Sequence, residues 1–65
     1  MTEEQIIIGN LYKATHTVML LDANEFNVMV YDFDSGDRYV HTRRYFLEFY
    51  EPTGMYKPVG KRANA

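Results

Sequence analysis

The chain reads as an all-β domain, a small SH3-like barrel or curled antiparallel sheet of about five strands. Three observations predict this. The stretch Phe26 to Thr42, FNVMVYDFDSGDRYVHT, sets two β-rich runs around a polar, glycine-containing turn, the short-range signature of a hairpin. Thr15 to Asp22, THTVMLLD, is rich in β-branched and apolar residues. The remaining apolar runs are short and are separated by turn residues rather than by long helical patterns.

With 65 residues, one small domain is expected, and a core of that size rarely supplies more than about 3–5 kcal/mol. The sequence has no cysteine, so disulfides and thiolate metal sites are excluded. His16 and His41 fall short of a metal set unless carboxylates or another chain complete it. Oligomerisation is the remaining support for so small a core, so a homodimer is expected. The opening MTEEQIIIG has no basic stretch, and its apolar run is three isoleucines. That is too short for a signal peptide or a membrane span, and the expectation is a soluble, cytoplasmic protein without membrane contact.

A net charge of −2 argues against avid binding to DNA of any sequence, which needs a concentrated positive field. The charge is unevenly distributed. Residues 1–37 hold seven acids against Lys13 alone, and residues 38–65 hold six bases against Glu48 and Glu51. Either opposite charges meet when the chain folds back, or a dipolar surface steers a partner.

In chain order, Thr2 and Gln5 have capping-box spacing for one helical turn. A first strand is expected across Ile6 to Lys13, kinked at Gly9. The second, Thr15 to Asp22, has apolar residues on both faces: Val18 and Leu20 alternate with Met19 and Leu21. Asp22 to Glu25 form a turn. The hairpin follows, with Asp34-Ser35-Gly36 as a three-residue loop and Gly36 in the left-handed region. That loop pairs Asp32 with Arg38, Tyr31 with Tyr39, Val30 with Val40 and Met29 with His41. It assigns Phe26, Val28, Val30 and Val40 to the core, and Met29, Tyr31, Phe33, Tyr39 and His41 to the other face. Arg43 to Tyr50, RRYFLEFY, reads as a strand or as one helical turn near Arg43 to Tyr45 leading into a closing strand, Phe46 to Tyr50. The pattern breaks at Glu51-Pro52-Thr53-Gly54. A single domain over 1–56 and a flexible basic tail over 57–65 are expected.

Gly9-Asn10-Leu11-Tyr12, Val28-Met29-Val30-Tyr31, Tyr39-Val40 and Phe46-Leu47-Glu48 together resemble a family of short bacterial proteins of unknown function. In that family a G-x-x-Y strand start precedes V-V-Y, W-V-R-P and a closing F-x-E. The resemblance runs from about Gly9 to Glu51 and implies an SH3-like small barrel without catalytic residues. This chain has Tyr39-Val40-His41-Thr42 in place of W-V-R-P.

No nucleophile motif, phosphate loop or dinucleotide fingerprint is present, so no enzyme activity and no cofactor are expected. Asp32, Asp34 and Asp37 have the look of a cation loop. Turn chemistry accounts for Asp34 and pairing with Arg38 for Asp32, so no metal is expected. The sequence has six tyrosines and four phenylalanines, more than one small interior needs. Met29, Tyr31, Phe33, Tyr39 and His41, rimmed by Arg43 and Arg44, therefore form the expected partner site, for a protein or a second copy. The alternative is nucleic-acid or nucleotide binding through the same aromatics, Arg43, Arg44 and the basic tail. Size alone suggests a phage-type inhibitor or regulator of a host protein.

Overall fold

The computed structural model describes residues 1–56. It is an open, five-stranded antiparallel sheet with one short helix. The strands are β1 (Asn10–Lys13), β2 (Thr17–Ala23), β3 (Asn27–Asp32), β4 (Arg38–Thr42) and β5 (Glu51–Tyr56). A 3₁₀ turn (Glu3–Gln5) precedes them, and helix α1 (Arg43–Phe49) lies between β4 and β5. The sheet order is β4-β3-β2-β1-β5. This is the curled sheet expected from the sequence. The closed barrel is corrected: β4 and β5 end the sheet on opposite sides. The tail expected at 57–65 lies outside the described residues.

The helix and the opening turn cover the same face. Tyr12, Val18, Leu20, Val28 and Val30 point into the core from the sheet, where Phe46 and Tyr50 meet them. Met1 and Ile6 pack on this cluster, and the Met1 amino group donates to the Leu47 carbonyl at 2.8 Å. The capping box at Thr2 and Gln5 is formed. The Ile6 to Ile8 part of the first strand is corrected, because the chain turns there and Ile7 and Ile8 are exposed. Tyr12 ties that turn down: its hydroxyl accepts the Ile7 amide at 2.8 Å and donates to the Gln5 carbonyl. Its ring meets Phe46 edge-on, with centroids 4.9 Å apart.

The closing strand expected at Phe46 to Tyr50 is corrected: the helix runs through Phe49, and Tyr50 is its C-cap. Thr42 is the N-cap, and its hydroxyl accepts the Tyr45 amide at 3.1 Å. Helical spacing then brings Phe46 and Tyr50 together inside and Tyr45 and Phe49 together outside. Thr42→Ala removes the cap and is expected to cost about 1 kcal/mol. Thermal unfolding followed by circular dichroism checks it, and an unchanged midpoint would remove the cap from the account. The fifth strand falls on Glu51 to Tyr56, where the breakers stand. Pro52 is tolerated because β5 is an edge strand. Gly54 has φ +81° beside the irregularity in the β1–β5 pairing, a backbone conformation that glycine adopts without strain.

The hairpin is present with a different register. Tyr31 pairs with Arg38, Val30 with Tyr39, Met29 with Val40 and Val28 with His41. The loop is Phe33 to Gly36, one residue longer than expected, with Gly36 at φ +76°. The reason is Asp32, which is only 8% exposed. Its main chain holds the loop: its amide donates to the Asp37 carbonyl, and its carbonyl accepts from the Gly36 amide. Its carboxylate accepts the amides of Asp34 and Ser35. Asp32 is therefore not paired with Arg38. A shift of one residue changes which side chains share a face. Val28 and Val30 remain core, but Val40 is 62% exposed and Phe26 74% exposed, so both are corrected.

Candidate interaction surface

The shifted register divides the expected aromatic face between two sides of the sheet. Met29, Tyr31 and Phe33 stay together on the face away from the helix. Tyr39 and His41, paired with the buried Val30 and Val28, lie on the helix side.

On the open face, one row runs Leu11, Met19, Tyr31 and Arg38 across four strands. A second row pairs Met29 with Val40, next to Leu21 at the β2 irregularity. Met19, Leu21, Tyr31, Phe33 and Arg38 line a shallow concavity of about 530 Å³. The Tyr31 and Phe33 rings meet edge-on at 5.2 Å. Leu11, Met19, Leu21, Met29 and Tyr31 are all half-buried, and Phe33 and Val40 are exposed. An antiparallel sheet with one face packed usually alternates apolar-in and polar-out. Here the middle outward positions are apolar too, flanked by the polar pairs Lys13–Thr17 and Asn27–Thr42, and the charge among the concavity's lining residues is the Arg38 guanidinium. Met19, Leu21, Leu11 and Val40 were not among the expected site residues. The signal for two of them was present: strand two carries apolar residues on both faces.

The helix side holds a chain of rings. His41 stacks on Tyr45 at 4.9 Å, and Tyr45 meets Phe49 at 4.7 Å. The Tyr50 hydroxyl lies 3.4 Å from His41 Nε2. Burial lowers the His41 pKa below the usual histidine value. Burial, followed by Tyr45 and Asp32, raises the Tyr50 phenol. Arg43 is committed within the fold: its guanidinium donates to Glu3 and to the Asn24 carbonyl, each at 2.8 Å. Arg44 is exposed.

A third cluster joins two turns. His16 Nδ1 lies 3.4 Å from Asp32 and Nε2 3.5 Å from Asp34. One ligand atom from each of His16, Asp32 and Asp34 lies within 4.8 Å of the others, a spacing that a cation could use, and the contacts the three side chains make with one another already account for the arrangement. Burial pushes the Asp32 carboxyl up. The Asp34 amide, the His16 hydrogen bond and the Ser35 amide outweigh that and hold it below the ordinary value. The cluster explains how the β3–β4 loop is anchored.

No family model, curated protein or solved structure matches the chain. Among the described residues, no helix is long and apolar enough to cross a membrane.

Proposed function

We propose that the chain is a non-catalytic protein-docking module whose partner seats on the open face of the sheet. One observation carries this reading: the row Leu11, Met19, Tyr31 and Arg38, with Met29, Phe33 and Val40 beside it, forms an apolar surface on the side opposite the helix. A contiguous apolar patch on a small domain is a feature of interaction sites. Tyrosine, phenylalanine and methionine are enriched at interface centres, and methionine repacks around varied partners. Arg38 at the rim suits a partner with an apolar ridge and a neighbouring carboxylate. Arg38, and Asp22 opposite Met29, set charges of both signs at the rim of this apolar surface, an arrangement that suits docking.

The test places a photo-cross-linking phenylalanine analogue at Phe33 or, as a control, at the exposed Glu48 of α1. In extract from the source cell, position 33 is expected to give a discrete protein adduct that position 48 does not. Equal labelling at both positions would overturn the reading. So would tight binding of labelled single-stranded DNA or RNA at about 50 mM salt, where phosphate contacts are strong.

A further inference from the structure

We propose that a second copy of this chain docks along the free edge of β4, antiparallel, with Val40 opposite the partner's Val40. This goes beyond the reading of the open face and does not depend on it.

The hydrogen bonds of the hairpin show which backbone groups are available. The Asp32 amide donates to the Asp37 carbonyl, and the Arg43 amide to the Phe26 carbonyl. In an antiparallel pair, alternate residues turn their N–H and C=O toward the neighbouring strand. Asp37, Tyr39, His41 and Arg43 therefore face β3, and the N–H and C=O of Arg38, Val40 and Thr42 point away from the sheet. Among the described residues no strand lies on that side, because β4 ends the sheet order.

The two edges of the sheet are built differently. β5 carries Pro52, a positive-φ Gly54 and an irregular register with β1, devices that discourage further pairing. β4 is regular, without proline or bulge. It also exposes apolar surface on both of its faces, Val40 at 62% and Tyr39 at 43%.

Charge selects both the occupant and the direction. β4 is preceded by Asp37 and followed, in the first turn of α1, by Arg44. Both are exposed, and neither forms an ion pair among the described residues. An antiparallel pairing centred on Val40 sets Tyr39 opposite the partner's His41. It brings the acidic turn of each copy, Asp34 to Asp37, to the partner's Arg44. A parallel pairing would set acid beside acid and base beside base. The two ends of β4 therefore complement a copy of themselves about a two-fold axis, the isologous arrangement of most dimers. The addition is a β-augmentation with main-chain bonds as its centre. It makes one continuous sheet of the two copies and sets their open faces side by side.

Light scattering after gel filtration, on the full chain from micromolar to millimolar concentration, tests the dimer. The mass is expected to rise from 7.7 kDa toward twice that value. Amide exchange by NMR identifies the edge. The Val40 amide should slow more than tenfold between dilute and concentrated samples, while the Tyr39 amide, bonded to β3, is protected in both. Arg44→Glu is expected to weaken dimerisation roughly tenfold, and adding Asp37→Lys to restore it. A glutamate in the first turn of a helix is compatible with the fold. Both sites lie off the open face, so this result is separable from partner docking. A chain that stays monomeric at about 1 mM would overturn the proposal. So would a dimer in which Val40 exchanges freely, or one indifferent to Arg44→Glu.

Discussion

Phe46→Ala is expected to leave the chain unfolded at 25 °C. Phe46 is fully buried, meets Tyr12 edge-on and stacks on Tyr50, so it joins the helix to the sheet. Truncating a buried phenylalanine costs about 3–5 kcal/mol. A domain of this length has a margin of about the same size, and the loss takes all of it. Phe49→Ala is the control, because Phe49 is 54% exposed and its removal should shift the midpoint only slightly. Circular dichroism and amide dispersion distinguish the two variants. A cooperative melt for Phe46→Ala would mean that the helix contributes little to the core.

The second large effect is at Asp32. Asp32→Ala leaves the amides of Asp34 and Ser35 without their acceptor and removes one of the two carboxylates beside His16. Asp34 and Ser35 are exposed, so water takes up part of what the two amides lose, and the midpoint should fall by roughly 5 °C, the equivalent of about 1 kcal/mol. The sign of the pH dependence follows from the direction of the shift. The folded carboxyl is held below its ordinary value, so the unfolded chain takes up this proton first on acidification. The stabilisation is complete above the unfolded value of about 3.9 and is lost as pH falls through the folded one. Urea titrations at a series of pH values should show that loss in the parent chain. In Asp32→Ala this part of the acid dependence should be missing. An identical slope in both would place the acid sensitivity elsewhere.

Strands β2, β3 and β4 were legible because their β-branched and apolar residues come in short runs separated by turn residues. The hairpin's register was not. Residue pairing alone favoured valine opposite valine and tyrosine opposite tyrosine, each such pair contributing roughly 0.2–1 kcal/mol. A buried carboxylate that organises the loop from within overrode that preference. RRYFLEFY was ambiguous because its aromatics satisfy both periods: Tyr45, Leu47 and Phe49 alternate, yet Tyr45–Phe49 and Phe46–Tyr50 are also helical neighbours. Thr42 was the available signal, a threonine at the N-cap. Glu51 to Tyr56 was hidden by Pro52 and Gly54, which mark turns unless the strand lies at an edge.

The candidate surface was half legible for the same reason. Met29, Tyr31 and Phe33 lie on one strand, so their common side does not depend on pairing. Tyr39 and His41 lie on the next strand, and the one-residue shift moved them to the opposite side. The same shift brought Val40 onto the open face. Both faces of β2 being apolar was visible in the sequence, and it is this second apolar face that supplies Met19 and Leu21.

The open face is the centre of the account, and Met19→Lys tests it most directly in a chain carrying the cross-linker at Phe33. Met19 is half-buried beside Tyr31 on that face, so a lysine can extend to solvent from the site. The unfolding midpoint is expected within a few degrees of the parent, with loss of the protein adduct. A variant that fails to fold would show that this face is interior, and an adduct that persists unchanged would show that the partner binds elsewhere.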